Sequence, residues 1–357
     1  MEKQPLDLQS QYRRFTRRKI LILILLGVFV VMLFFVSLMQ GSSDLSFSDS
    51  LRGLFGFGEK TAVRIVQKIR LPRVLTGIIA GMGLALSGLI MQTCLDNPMA
   101  SPSTLGVSQA SVLGANVGII LLSGGVVATN HGNNWGSYNP YAVSAFAFLF
   151  SLGAIFLVLA ISKIRNFSPD TLILAGIALS ALFSAITTLI QYFATDTQLS
   201  SAVYWSFGDL GRASFQDVAI MSIAVLLSLF VFTLLRWKLN ALSQGELQAR
   251  SLGVRTSLVR FIALLLSSLV TAICISFLGI IGFVGIIAPH VMRRVIGNDH
   301  RYLIPGSALA GAVILLVSDT LARVVMKGFS LPVGAVTAIL GAPFFLYIIF
   351  RTRKDKA

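Results

Sequence analysis

From Ile20 to Met39 the chain runs twenty residues without a charged side chain, and stretches of that kind recur to its end. A helix rises about 1.5 Å per residue and the hydrocarbon core of a bilayer is about 30 Å thick, so about 20 apolar residues cross it. Further apolar runs cover about 74–95, 104–124, 141–162, 171–194, 217–235, 258–278, 302–320 and 332–350, and a glycine-broken run lies at 279–288. Counting that last run as the start of a span makes ten. Of the 357 residues, 55% are hydrophobic and 12% charged, and mean hydropathy is +0.83, all outside the soluble range. The expected fold class is an all-α membrane protein of about ten transmembrane helices. A single transmembrane domain over 20–350 lies between tails at 1–19 and 351–357.

Basic residues precede the first run, as in a secretory signal, but a signal's apolar core is shorter and a small-residue cleavage site should follow it. A retained first span with a cytosolic N-terminus is expected instead. The net charge of +15 is not read as a nucleic-acid surface, because the basic residues lie in short loops between apolar runs. The positive-inside rule explains them. Ten spans put both termini in the cytosol and 20 of the 29 Lys and Arg on that side; nine would turn the basic C-terminus outward. The expected location is the cytoplasmic (inner) membrane, with lipid as a partner and no nucleic acid.

Six of the remaining basic residues, Arg52, Lys60, Arg64, Lys68, Arg70 and Arg73, crowd into the first external loop. Either that loop simply tolerates charge, or it is a docking surface for an acidic partner. Small residues spaced as Gly77-x-x-x-Gly81 and Gly114-x-x-x-Gly118 predict close helix packing. Cys94 and Cys274 both sit in apolar segments, which suits packing rather than a disulfide or a metal site.

Intramembrane charges usually mark proton relays or ion paths. The centres of the predicted spans contain none, and Asp319, near the end of the ninth, is the nearest exception. No H-E-x-x-H or G-x-S-x-G motif occurs, so no catalytic residue is assigned. His131, His290 and His300 are scattered through loops or span ends and read as polar loop residues, with no metal site. Gly53 to Thr61 resembles a phosphate-binding loop, but Glu59 stands between the last glycine and Lys60, and no buried strand precedes it. The chain reads as a translocation body whose power comes from another subunit.

The largest cytosolic loop, Arg236 to Arg260, contains a short segment bounded by Gly245 and Gly253. Glu246 and Arg250 stand four apart, an i,i+4 pair that favours a helix, and Gly253 can end it. This segment resembles the coupling loop of the FecCD-like permeases of type II ABC importers. Other stretches are similar to the same family in the same order: Arg70-Leu-Pro72-Arg73, Ser87-Gly88-x-x-Met91-Gln92, Asn97-Pro98-Met99-Ala100, Gly279-x-x-Gly282-Phe283-Val284-Gly285, Asp299-His300-Arg301 and Leu331-Pro332-x-Gly334.

The resemblance implies the type II importer permease fold. It also implies a second copy of the chain or a paralogous permease, two cytosolic ABC ATPases and an extracytoplasmic substrate-binding protein. ATP and Mg would be used by the ATPases, and no cofactor by this chain. The implied ATPase-coupling loop, about 240–254, includes Leu242, Gly245, Glu246, Ala249, Arg250, Leu252 and Gly253. Docking of the binding protein would use Arg70, Arg73 and Arg323, and the cytosolic gate would include Asn97 and Met99. The match at Ser168-Pro169-Asp170, where a second gate element would lie, is poor. The expected cargo is a ferric siderophore or a related chelate such as haem or cobalamin. The alternative is a secondary carrier or channel not coupled to an ATPase.

Overall fold

The computed structural model describes residues 8–41, 45–122, 140–164, 166–326 and 330–354. His131 and the extreme ends of both tails fall outside them. Helix α1 (Leu8–Met39) is followed by two short helices, α2 (Phe47–Leu54) and α3 (Lys60–Ile65). Helix α3 runs through a π turn at Val66–Arg70 into α4 (Leu71–Cys94). Next come α5 (Val107–Asn116), prolonged by a π turn to Leu122, α6 (Pro140–Lys163), α7 (Pro169–Tyr192), α8 (Asp196–Ser206), α9 (Phe215–Leu242) and α10 (Glu246–Ser251). The chain closes with α11 (Thr256–Leu278), α12 (Val284–Ile296), α13 (His300–Val324) and α14 (Val333–Lys354). Among the described residues there is no strand.

Seven segments are long and apolar enough to cross a membrane: Gln11–Met39, Lys60–Cys94, α6, α7, α9, α11 and α13. Two shorter apolar helices, Val107–Leu122 and Val333–Leu346, and the 13-residue α12 stand at the other predicted positions. Local chemistry sets where several helices begin. Ser168 accepts from the Thr171 amide at the start of α7, with Pro169 in the first turn, where its missing N–H costs nothing. Reciprocal capping boxes start α9 (Ser214 and Asp217) and α8 (Thr195 and Gln198). Hydropathy gives no sign of α8, which is too polar to register; only its Thr-x-x-Gln spacing signals it.

Burial sorts the helices. In the apolar part of the Lys60–Cys94 segment, 78% of residues are buried, against 11% in the α1 segment. Helix α4 is therefore the axis of the bundle, packed by α9, α11, α12 and α13, while α1 leaves most of its surface to lipid. Without a hydrophobic drive between helices in lipid, close backbone approach is what holds them. A Cβ built on Gly81 would lie 2.4 Å from the Gly311 carbonyl oxygen of α13, and one on Gly114 2.3 Å from that of Phe146 in α6. Both Gly-x-x-x-Gly pairs thus mark helix contacts. The tightest approach is elsewhere, at Gly88, where a Cβ would meet the Gly285 carbonyl oxygen of α12 at 1.8 Å.

The glycine-broken run ends α11 at Gly279 (φ +79°) and restarts as α12 after Phe283 in a left-handed conformation. This irregular backbone packs against two other turns: the Asp209 amide donates to Leu278 O at 2.8 Å, and a Cβ on Gly334 would lie 2.4 Å from Ile280 O, while the two turns are joined by the Val333 amide donating to Gly208 O at 3.0 Å. Non-helical backbone at membrane depth is tolerated only where protein buries it in this way. Helix α12 also carries His290, Arg293 and Arg294, all beyond the apolar run at 279–288. Arg293 donates to the Gln92 side chain of α4 at 2.6 Å.

Candidate functional sites at the two ends of the bundle

We name the ends from the distribution of positive charge: α10 marks the inner end, and the α2–α3 pair the outer. At the inner end α10 is the short helix expected from the Glu246 and Arg250 spacing. It is entered through Gly245 (φ +109°) and followed by Gly253 (φ +77°), backbone conformations that a side chain disfavours. Leu242 and Ala249 are buried against the bundle, whereas Leu247 is 85% and Leu252 70% exposed. Glu246 pairs with Arg250 as expected and, in addition, with Arg260 of α11 at 2.7 Å. The Arg260 guanidinium beside Glu246 holds its carboxyl below the usual carboxylate range. Lowering of the folded-state value means that the contact is intact at neutral pH and is lost only as pH falls through that lowered value.

The turn after α4 holds Asn97 and Met99 at the same end. The Asn97 side-chain oxygen accepts from the Met99 amide at 2.9 Å, and the Met99 side chain is half exposed. The following 3₁₀ turn, Pro102–Leu105, packs on α7, where a Cβ on Gly176 would lie 2.0 Å from the Thr104 carbonyl oxygen. Ser168 serves as the cap of α7. His300 is not a loop residue but is buried at the start of α13. Its ring contacts the Asn240 side-chain oxygen at 2.8 Å and the Thr93 hydroxyl at 2.9 Å, joining α13 to α9 and α4.

At the outer end the first external loop is largely helical, because α2 packs Gly53 against Val66 and turns Ser50 inward to accept from the Arg70 guanidinium. Arg52, Lys60 and Arg64 are exposed on this pair and Lys68 on the π turn that follows it, with Phe55 and Phe57 at the turn between α2 and α3. Glu59 accepts from the Thr61 hydroxyl and caps no strand-to-helix turn, so the phosphate-loop resemblance has no structural counterpart.

Arg70, Arg73 and Arg323 come together here, but facing inward. Arg70 is 3% exposed and donates to the carbonyls of Leu38 (3.1 Å) and Met39 (2.8 Å) at the end of α1. Arg73 holds Asp319 at 2.9 Å, Asp209 at 3.5 Å and the Ser330 hydroxyl at 2.9 Å. Arg323 holds the other Asp319 oxygen at 3.0 Å, the Ser37 carbonyl at 3.0 Å and the Ser37 hydroxyl at 2.6 Å. Asp319 itself is fully buried. In this arrangement Arg73 and Arg323 lock α4 and α13 on one carboxylate while Arg70 and Arg323 hold the end of α1, and among the described residues of the first external loop the basic groups offered to solvent are Arg52, Lys60, Arg64 and Lys68. The i,i+4 pair of Asp319 and Arg323 is legible in the sequence; Asp209 and Arg73 joining it is not.

Cys94 and Cys274 are buried in the bundle. No group of three or more His, Cys, Asp or Glu able to hold a metal occurs among the described residues.

An ABC transporter permease protein of Methanocaldococcus jannaschii is 44% identical over 350 residues, covering 98% of this chain and 99% of that protein. The hemin transport system permease protein HmuU of Yersinia pestis is 35% identical over 340 residues, 94% of this chain and 97% of that protein. A metal-chelate type ABC transporter solved in an inward-facing conformation superposes with a TM-score of 0.78 at 31% identity, covering 93% of this chain and 99% of that one. The likeness confirms the importer permease fold. Residues 28–351 match the FecCD transport family, and the chain belongs to that family as a membrane-embedded permease rather than an enzyme.

Proposed function

We propose that this chain is the translocating half of an ATP-driven importer that carries a ferric siderophore, or a related chelate such as haem or cobalamin, into the cytosol. Two copies, or one copy and a paralogous permease, enclose the pathway. Two cytosolic ATPases seat on the 240–254 loop, and an external binding protein delivers cargo at the outer end.

The observation that carries this reading is α10. A six-residue helix cannot hold itself together in water, yet this one is braced by the bundle and carries two exposed leucines as a rigid knob. Such a knob suits a socket on a cytosolic partner. The relative from Yersinia pestis, named for hemin, and the neighbour named for metal chelates support a chelate as cargo.

The direct test is to purify the chain with its co-expressed ATPase, reconstitute it in vesicles and supply binding protein loaded with each chelate. ATP-dependent uptake of one chelate is the expected result. Uptake by the chain alone would favour a carrier or channel.

For docking, the four exposed cations of α2, α3 and the π turn make first contact, with Arg70, Arg73 and Arg323 bracing the platform behind them. Reversing Arg52, Lys60, Arg64 and Lys68 to Glu should leave the complex assembled but slow association of the binding protein about tenfold or more, with the wild-type rate falling towards the variant's at high salt. Association rates at two ionic strengths measure this, and a salt-independent, unchanged rate would remove these residues from the docking surface.

A further inference from the structure

Arg260 sits in the second turn of α11, 4% exposed, and its guanidinium joins three elements at once. One terminal nitrogen, Nη1, holds the Glu246 carboxylate of α10 at 2.7 Å, while Nε donates to the Cys94 carbonyl at 3.1 Å. Cys94 is the last residue of α4, so that carbonyl is one of those a helix end leaves without an intrahelical partner. Two residues further on, Asp96 adopts a left-handed conformation (φ +45°) and the chain turns into Asn97 and Met99. A path of direct contacts therefore runs from the exposed helix α10 through one planar group to the turn at the inner mouth of α4.

A buried ion pair is a poor device for stability, because desolvation takes back much of what the attraction provides. What a guanidinium does well is fix relative position, since its N–H groups diverge at set angles within one rigid plane. The other link between α10 and α11, from Arg250 to the Thr256 hydroxyl, is long at 3.4 Å and involves a half-exposed side chain.

We propose that Arg260 is a positioning residue that transmits displacement of α10 to the Asn97–Met99 turn, so that movement of the docked ATPases repositions the inner end of α4. The inference rests on the reading of α10 as the ATPase-docking element.

The test uses the full complex in vesicles, with transported chelate counted per ATP hydrolysed and a spin label at Met99 paired with one at Gln248, exposed on α10 beside the docking leucines. Arg260→Gln should assemble and hydrolyse ATP, yet transport per ATP should fall about tenfold, within the range that single residues can contribute to coupling. Arg260→Lys keeps the charge but cannot hold both contacts, and should fall between. Adding Glu246→Gln to Arg260→Gln should lower transport per ATP no further, since both cut the same path. Unchanged transport per ATP in Arg260→Gln would overturn the proposal. So would a Met99 label that stays still in the chain with Arg260 intact while the Gln248 label moves with nucleotide, a result that does not depend on any Arg260 variant folding. If the wild-type chain recruits no ATPase, the reading of α10 fails instead.

Discussion

Asp319→Asn should cost about 3–5 kcal/mol of stability, the usual consequence of removing one member of a buried ion-pair cluster. The substitution keeps the shape of the side chain and leaves two guanidiniums, 12% and 6% exposed, without their shared counter-charge. The expected readout is a large drop in the melting temperature of the detergent-solubilised protein, with loss of monodisperse material. Replacing the whole group by Asp319→Leu with Arg73→Met and Arg323→Met should recover much of that loss, because well-packed apolar side chains remove the desolvation cost together with the charge. Reversing Arg70 and Arg73 to Glu should likewise damage folding and not docking alone. An Asp319→Asn variant melting with the wild type would show that the cluster braces nothing.

The second large effect is at Gly88. Gly88→Val forces a side chain into the Gly285 backbone, where even a Cβ would meet the carbonyl oxygen at 1.8 Å and the carbonyl carbon at 2.4 Å. Overpacking costs about 1–3 kcal/mol when neighbouring side chains can yield. Here the obstacle is backbone of α12, so at least about 3 kcal/mol is expected, as separation of α4 from α12. Gly153→Ala is the control: nothing lies within 4 Å of the added atom in α6, and helix propensity alone favours Ala by up to about 1 kcal/mol. Thermal unfolding of the two variants side by side should show a large fall and little change. A Gly88→Val protein as stable as the control would mean that α4 and α12 do not touch there.

The spans and the short helix α10 were legible because their causes are local. Twenty apolar residues match a bilayer wherever they occur, and Glu246 with Arg250 one turn apart favours a helix in any context. The helical character of the first external loop was hidden, because α2 and α3 are only eight and six residues long and depend on packing against Val66 for their existence. Gly88 shows the same limit: no spacing rule singles it out, and its role comes from Gly285, almost two hundred residues away.

The arginines divide the question most clearly. By itself the sequence determined that Arg70, Arg73 and Arg323 border apolar runs, where each run of about 20 residues ends, since a bilayer sets that length. Only the tertiary structure decided what they do there. Arg73 and Asp319 are separated by 246 positions, and a guanidinium turns inward or outward according to which carboxylates and carbonyls the packed helices bring within about 3 Å. The same is true of Arg260, whose partners Glu246 and Cys94 meet only because α4, α10 and α11 converge on one side chain.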